Sequence, residues 1–275
     1  MNSQPEPLDL QCYVAGERIN SNHFLTVHSP YDGRVAGRVA MADRAHTEQA
    51  LASTRSKAEG LTRFQRSEIL DRARQLLDQR GDSFARLITA ESGLCLRDTH
   101  YEVKRASDVL RFASMEALRD DGQIFSCDIS PNGKSRKIFT QREPLALMVA
   151  ITPFNHPLNQ VAHKVAPAIA VGTPVVLKPS EKTPLTALKF AELLYEAGLP
   201  GSMLSVLVGP TEDVAIPLTQ DSRVGLVSFT GSVAVGKRLA ASVGYKRLVL
   251  ELGGNDPLII LADADLDQAA KLAAE

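Results

Sequence analysis

The second half of this sequence alternates short apolar runs with segments that carry the pattern of helices. The runs read LALMVAI, PVVLK, LSVLV, VGLVSF and RLVLE, and the first begins at Leu145. Continuous apolar runs of this length are typical of strands buried on both faces of a parallel sheet. The segments between them, near 157–171, 184–197, 212–219 and 232–243, supply crossover helices. We therefore predict an open α/β parallel sheet with helices on both faces.

The helix near 184–197 has recognisable end signals. Thr183 is predicted as its N-cap, Pro184 as its first residue and Gly198 as the residue just past its end. Sheets of this kind bind ligands in the crevice at the carboxyl ends of their strands. The loops that follow the apolar runs are therefore where a site is expected.

The rest of the chain is organised differently. Residues 1–35 predict short strands and turns, and residues 46–118 predict three helices. PLIIL, at 257–261, predicts a further strand, and the sequence then finishes in a helical pattern without a cap. That ending suggests a sequence that is cut short.

A hairpin is predicted between these regions. QIFSCDIS and RKIFTQRE are alternating runs that flank PNGK. Asn132-Gly133 between such runs indicates a tight two-residue turn, in which both positions have positive φ. The hairpin is expected to stand apart from its neighbours in sequence.

Composition excludes several classes of protein. The formal net charge is −1 over 275 residues, so neither nucleic acid nor an anionic membrane is expected as a partner. No apolar run reaches the roughly 18 residues of a membrane span. Three widely spaced cysteines argue against a disulfide framework and favour a reducing, cytoplasmic location. No metal site is expected, because His156 and His163 are about 10.5 Å apart along a helix.

A strand-to-helix turn in FTGSVAVGK is the first candidate for cofactor binding. Backbone N–H groups at Gly231 and Ser232 could face an anion at the helix N-terminus. The spacing to Gly236 and Lys237 also resembles a P-loop, which would indicate a nucleotide hydrolase. Arg238 stands where a P-loop has Ser or Thr for Mg²⁺, which argues against that alternative.

Two further candidates follow other apolar runs. Lys178 and Glu181 could bond the hydroxyls of a ribose, and a carboxylate there would repel a 2′-phosphate, which favours NAD over NADP. A solvated charge pair is the alternative. Asn155 could donate its amide to a developing oxyanion, or simply cap a helix. Glu251, beside Gly253-Gly254, has the setting of a general base, or of an exposed loop residue.

Taken together, FNHP, KPSE, FTGS and LELGGNDP resemble the NAD(P)-dependent aldehyde dehydrogenase superfamily along essentially the whole chain. The resemblance implies a Rossmann-like sheet that binds NAD, with Asn155 in the oxyanion hole and Glu251 as the base that activates water. It implies a homodimer or homotetramer built through the hairpin. The implied cofactor-binding residues are Thr152, Pro153, Phe154, Lys178, Glu181, Gly209, Phe229, Gly231, Ser232, Val235, Gly236 and Leu252.

One departure concerns the nucleophile. The family's catalytic cysteine lies a few tens of residues beyond the glutamate, and no cysteine of this sequence occupies a matching position. The resemblance thus implies an N-terminal half that is inactive alone. Its expected parts are a cofactor domain (1–122 and 145–252), an oligomerisation hairpin (123–144) and the start of a truncated catalytic domain (253–275). A non-catalytic module that binds NAD or oligomerises is the alternative.

Two positions bear on the substrate. His156 and Arg105 match positions that line the aldehyde tunnel in the family, where apolar side chains are common. Two cations there would favour a small anionic aldehyde, because Arg offers a planar fork to phosphonate, sulfonate or carboxylate. The resemblance favours phosphonoacetaldehyde, with sulfoacetaldehyde and lactaldehyde as competitors. The alternative is that Arg105 is a solvated helix residue.

Overall fold

The computed structural model describes residues 7–56 and 60–274, and it begins with five short strands. They are β1 (Leu8–Gln11), β2 (Tyr13–Val14), β3 (Glu17–Arg18), β4 (Phe24–His28) and β5 (Val35–Ala40). β1, β5 and β4 form a small mixed sheet, whereas β2 and β3 extend the large sheet described below. The predicted strands of this region are therefore present.

Helices follow, and they number four within the described residues rather than the three predicted. They are α1 (Arg44–Ser56), α2 (Arg63–Gln79), α3 (Gly81–Ser92) and α4 (Leu96–Glu116). Arg80 alone separates α2 from α3, and its N–H still bonds the carbonyls of Leu76 and Leu77 at 3.1 and 3.2 Å. The chain changes direction there without a proline, so the sequence pattern does not reveal the break.

The predicted hairpin forms, but its turn is not the predicted one. β6 (Ile124–Phe125) and β7 (Ile138–Phe139) pair antiparallel in a sheet of their own. The N–H of Gly133 donates to the carbonyl of Ser130 at 3.0 Å, so Pro131 and Asn132 are the central residues of that turn. Neither Asn132 nor Gly133 has positive φ. Proline prefers the second position of an ordinary β-turn, and here that preference overrides the Asn-Gly signal.

The large sheet has seven strands in the order β12-β11-β8-β9-β10-β2-β3. Its parallel members are β8 (Met148–Ile151), β9 (Val175–Lys178), β10 (Leu204–Val206), β11 (Leu226–Gly231) and β12 (Arg247–Leu252). The connecting helices are α5 (Asn159–Val171), α6 (Leu185–Glu196), α7 (Ile216–Gln220, after a π-helical turn at Thr211–Ala215) and α8 (Val233–Ser242). The predicted α/β parallel sheet is confirmed.

Helices pack on both faces of this sheet. α5 and α6 lie against β8, β9 and β10, and α2, α3 and α4 pack over them as an outer layer. α8 packs against β11 and β12, while α1 lies near β2 and α7. The largest fully buried side chains include Phe190 of α6 and Leu177 of β9, so the core lies between the sheet and the outer helical layer.

The segment 257–261 is not a strand, contrary to the prediction. Its apolar side chains are exposed, and it runs without a hydrogen-bonded partner strand among the described residues. An apolar run becomes a strand only where a neighbour completes its ladder. α9 (Leu266–Ala274) follows and confirms the helical pattern seen there. Among residues 7–56 and 60–274, no helix is both long and apolar enough to cross a membrane.

The start of α6 also differs from the prediction. The helix begins at Leu185, and the hydroxyl of Thr183 does not cap it. Instead the buried carboxylate of Glu91, on α3, accepts the N–H groups of Leu185 and Thr186 at 2.8 and 2.9 Å. A side chain 94 residues earlier supplies the cap, which local sequence cannot reveal. The end of α6 is as predicted, with Gly198 at a φ of 98°.

Glu91 makes the stability of this fold depend on pH. Burial raises the pKa of Glu91 from its usual 4.5 to about 7, and the nearby carboxylate of Glu102 adds to the rise. Because this pKa is raised, the folded state holds the proton more tightly than the unfolded chain. The contribution of Glu91 to the free energy of unfolding is complete below the pKa that its carboxyl has in the unfolded chain. This contribution, of about 3 kcal/mol, is lost as the pH rises through 7.

We therefore expect Glu91→Gln to remove this pH dependence. The free energy of unfolding, measured with urea, should fall between pH 5 and pH 8 in the wild type. This fall should exceed that of the variant by about 3 kcal/mol. Glu68→Gln, at an exposed position on α2, serves as the control and should track the wild type. Parallel pH profiles for wild type and Glu91→Gln would contradict the assignment.

Candidate functional site

The order of the parallel strands creates a crevice at one edge of the sheet. From β8 the chain moves outward through β9 to β10 and then returns to place β11 on the other side of β8. This reversal is a topological switch point, where helices leave to opposite faces and open a gap above the carboxyl ends. The gap lies between the loops that follow β8 and β11.

Strand register brings the predicted site residues to this edge. Ile151 at the end of β8 pairs with Lys178 on one side and with Phe229 on the other. One step further, Thr230 and Gly231 of β11 pair with Glu251 and Leu252 of β12. Since neighbouring strands are about 4.8 Å apart, Lys178 and Phe229 lie about 10 Å apart across β8.

The loop after β9 holds a lysine and a glutamate together. Lys178 Nζ lies 3.2 Å from Glu181 Oε1, with the lysine side chain 8% exposed and the glutamate side chain 43% exposed. The carbonyl of Lys178 also accepts the N–H of Thr152 at 3.2 Å, which ties this loop to the one after β8. A buried cation and a part-exposed carboxylate can together bond a diol.

Two glycines lie on either side of the turn after β11, Gly231 at the end of the strand and Gly236 within α8. A Cβ at Gly231 would lie 2.5 Å from the ring of Phe229, and a Cβ at Gly236 would lie 2.5 Å from Leu252. Ser232 caps α8, because its Oγ accepts the N–H of Val235 at 3.4 Å. The first-turn N–H groups of α8 face the crevice edge of the sheet, a favourable place for an anion.

The P-loop alternative does not fit this geometry. α8 begins at Val233, so Gly236 and Lys237 already lie inside the helix. A P-loop wraps phosphates with the residues between its glycines, which must be outside the helix to do so. Gly209, in the loop after β10, is also required as glycine, since a Cβ there would lie 2.3 Å from the carbonyl oxygen of Ala42.

The loop after β8 carries Asn155 in the open. Asn155 is exposed, and α5 does not begin until Asn159, so Asn155 is not the helix N-cap. The ring of Phe154 lies beneath the ammonium group of Lys182 at 4.5 Å. Pro153 precedes them, between a buried Thr152 and the exposed pair. The amide of Asn155 is thus free of the capping role that competed with its predicted one.

Glu251 has an unexpected neighbour beneath the sheet edge. Lys164 of α5 is buried, and its Nζ donates to Ser228 Oγ at 2.9 Å. Burial lowers the pKa of Lys164 to about 8, and the negative charge of Glu251 partly opposes that shift. Glu251 itself is exposed. Sequence analysis missed Lys164, because a lysine within a helix is usually solvated.

Two hydroxyl groups at the switch point lack partners. Thr152 Oγ1 and Thr230 Oγ1 are buried and unbonded, and they follow β8 and end β11 respectively. A buried polar group without a partner is costly unless a ligand or water completes it. These hydroxyls, Lys178 and the N-terminus of α8 can donate hydrogen bonds and the Glu181 carboxylate can accept them, a combination that suits a dinucleotide.

The two predicted substrate residues lie beside Glu102. His156 is half-exposed, and its Nδ1 lies 3.4 Å from Glu102 Oε2. Arg105 is exposed one helical turn further along α4, on the same side as Glu102. Its guanidinium group lies 6.0 Å from the ring of Tyr101. After burial, the charge of Arg105 is the next cause that lowers the pKa of His163, which places Arg105 alongside α5.

The cysteines lie elsewhere. Cys12 is buried in contact with Val208, and burial raises the pKa of its thiol to about 11. Cys95 immediately precedes α4, and Cys127 lies in the hairpin. All three are free of disulfides. Within the described residues, no group of three His, Cys, Asp or Glu side chains could hold a metal ion.

Comparison with known proteins gives consistent matches. Residues 17–275 match the profile described as the aldehyde dehydrogenase family. The chain is 37% identical to a 3-sulfolactaldehyde dehydrogenase from Priestia megaterium over 94% of its own length and 55% of that protein. It spans about half the length of the curated relatives it matches.

Solved structures give the same picture. The betaine aldehyde dehydrogenase of Staphylococcus aureus in complex with NAD+ superposes with a TM-score of 0.89 at 29% identity, over 96% of this chain and 54% of that one. The NADP-dependent glyceraldehyde-3-phosphate dehydrogenase of Bacillus halodurans, complexed with NADP, gives 0.90 at 29% identity, over 96% and 56%.

Proposed function

The chain belongs to the aldehyde dehydrogenase family, and from this premise we propose that it supplies the cofactor site, the oxyanion amide and the general base of an NAD-dependent enzyme for small anionic aldehydes. Residues 1–122 and 145–252 form the cofactor domain in this proposal, and 253–275 begin a catalytic domain. Conversion of phosphonoacetaldehyde to phosphonoacetate is the favoured reaction. Free cysteines support a reducing, cytoplasmic setting.

One observation carries the proposal. The loops after β8, β9, β11 and β12 meet at one edge of the sheet, at the switch point. A dinucleotide that spans this edge would reach Lys178 and Glu181 with its adenosine ribose and the N-terminus of α8 with its diphosphate. The remaining proposed contacts are Thr152, Pro153, Phe154, Gly209, Phe229, Gly231, Ser232, Val235, Gly236 and Leu252.

Bound NAD supplies a hydride acceptor, and the chain's own groups supply orientation and charge. The amide of Asn155 donates to the oxygen that becomes negative when a thiolate attacks the aldehyde, an interaction worth about 3 kcal/mol in comparable sites. The thiohemiacetal formed by this attack becomes a thioester only when its hydride passes to the acceptor. Glu251 then takes a proton from the water that hydrolyses the thioester. We assign the thiolate to a residue other than Cys12, Cys95 and Cys127.

Anionic substrates are favoured by the charges beside Asn155. His156 follows Asn155 and contacts Glu102, and Arg105 lies one helical turn beyond Glu102 on α4. Both side chains are accessible, and each can donate to an anionic oxygen. The relative named as a 3-sulfolactaldehyde dehydrogenase makes a sulfonate-bearing aldehyde the second candidate. Both substrate classes place a tetrahedral anion opposite the aldehyde, so Arg105 would serve either.

The first prediction of the proposed function concerns the choice of cofactor. We expect the chain to bind NAD more tightly than NADP, because the Glu181 carboxylate would repel a 2′-phosphate. We expect it to bind ATP only weakly, because α8 begins at Val233 and leaves the segment 231–237 unable to hold a triphosphate as a P-loop does. Glu181→Gln removes that charge and should improve NADP binding relative to NAD by about tenfold. Isothermal titration with NAD, NADP and ATP measures all three affinities.

Glu212→Gln, at an exposed acidic residue after β10, is a charge-matched control and should leave the NADP-to-NAD ratio unchanged. Tight ATP binding, or a ratio that Glu181→Gln does not alter, would count against this cofactor site.

The second prediction concerns the anion. Titration with phosphonoacetate, followed by NMR, should show binding that Arg105→Leu weakens by about tenfold, because a charge-assisted bond is lost. Lys104→Leu removes the same charge from the adjacent exposed position and should weaken binding by less than about twofold. Equal losses of phosphonoacetate affinity in the two variants would mean that Arg105 acts only by long-range attraction. That result would contradict the proposed direct contact.

The third prediction concerns assembly. We propose that the hairpin (123–144) is an oligomerisation arm and that the protein forms a homodimer or homotetramer. Ile124 and Phe139 are 89% and 74% exposed on paired strands, and an isolated two-stranded sheet is marginally stable in water. Sedimentation velocity should show that Ile124→Ser dissociates the oligomer. Ile129→Ser, exposed in the turn region of the same hairpin, should not.

A further inference from the structure

Two buried glutamates reach across from the outer helical layer to the helices that follow the site loops. Glu91 of α3 accepts from the N–H groups at the start of α6, which follows the loop of Lys178 and Glu181. Glu102 of α4 accepts from the N–H groups of Leu158 and Asn159 at 2.9 Å each. Those groups begin α5, which follows the loop of Asn155.

We propose that Glu91 and Glu102 are positioning residues with separate tasks, Glu91 for the loop of Lys178 and Glu181, and Glu102 for the loop of Asn155 and the ring of His156. This inference rests on the proposed function of those loops. Each carboxylate is almost fully buried, with Glu102 only 2% exposed. A buried carboxylate that holds backbone groups fixes its helix start in one place, because displacement would leave polar groups unpaired.

The two carboxylates use their oxygens differently. Glu91 uses Oε2 for the N–H of Leu185 and Oε1 for that of Thr186. Glu102 uses Oε1 alone for both backbone N–H groups, which leaves Oε2 to meet His156 Nδ1 at 3.4 Å. Glu91 therefore caps its helix with both oxygens, whereas Glu102 caps its helix with one oxygen and contacts the histidine with the other.

The contact with Glu102 decides which ring nitrogen of His156 carries the proton. An ionised carboxylate can only accept, so Nδ1 must be the donor. Nε2 is then the nitrogen available to a ligand, and it donates to an anion when the ring is protonated. On the neighbouring helices, Arg105 of α4 and Lys164 of α5 carry charges that act on His163.

This difference makes glutamine a selective probe at each position. Glu102→Gln keeps an oxygen for both backbone N–H groups and replaces Oε2 with an NH₂ group, which can only donate to Nδ1. Glu91→Gln instead turns an NH₂ group toward a backbone N–H, so two donors oppose each other. Glu102→Gln should therefore preserve the cap of α5, whereas Glu91→Gln should disturb the cap of α6.

The experiment measures both variants in two ways on the full 275-residue chain. Nitrogen-15 spectra of the histidine rings should show that Glu102→Gln moves the neutral His156 ring from the Nδ1–H to the Nε2–H tautomer, while Glu91→Gln leaves it unchanged. His163 is the internal reference. NAD titration should show that Glu91→Gln weakens binding by about fivefold or more and that Glu102→Gln changes it by less than about twofold.

Opposite or equal effects would overturn the separation of tasks, as would an unchanged His156 tautomer in Glu102→Gln. If Glu91→Gln does not fold, Glu91→Asp provides a second test. It retains both carboxylate oxygens but moves them away from the N–H groups of α6, and it should also weaken NAD binding. A wild-type chain that binds no NAD would refute the proposed function. The His156 spectrum would still decide the role of Glu102, because that measurement requires no ligand.

Discussion

The hydrogen-bonded register between β9, β8, β11 and β12 is the constraint on which the rest of this structure depends. It aligns Lys178 with Ile151 and Phe229, and it sets Glu251 beside Thr230. In a parallel sheet all carboxyl ends meet at one edge. Residues more than 70 positions apart in the sequence therefore lie close together there, even where their side chains do not touch. A slip of one residue would turn alternate side chains to the opposite face and separate these groups.

Much of this arrangement could be predicted, because the signals are local. Apolar runs mark β8 to β12, and Gly198 marks the end of α6 through a backbone conformation that suits glycine. The loops that carry Asn155, Lys178 and Gly231 follow from those strands. Two of the predictions failed because a distant partner decides the outcome. The segment 257–261 lacks a strand beside it, and α6 takes its cap from Glu91 instead of Thr183.

The buried charged side chains near the site show why local sequence patterns are misleading there. Glu91, Glu102 and Lys164 all lie on helices whose sequence pattern predicts solvated charge. Each is buried because a second element, remote in sequence, packs over it and offers a hydrogen-bond partner. Burial of a carboxylate is costly unless backbone donors offset it, and two helix N-termini provide those donors. The outer helices α3 and α4 therefore hold the crossover helices by specific bonds as well as by apolar packing.

The proposed function also requires the crevice to treat similar anions in opposite ways. A 2′-phosphate on the cofactor and a phosphonate on the substrate have nearly the same shape and charge, so shape alone separates them poorly. The chain places a carboxylate, Glu181, where the ribose would lie, and two potential cations, Arg105 and His156, beside the Asn155 loop. Glu181 lies on the loop after β9, His156 on the loop after β8 and Arg105 on α4, and Glu181 is partly neutralised by Lys178. Opposite fields at the two ends of one crevice would exclude the phosphate at one end and attract the phosphonate at the other.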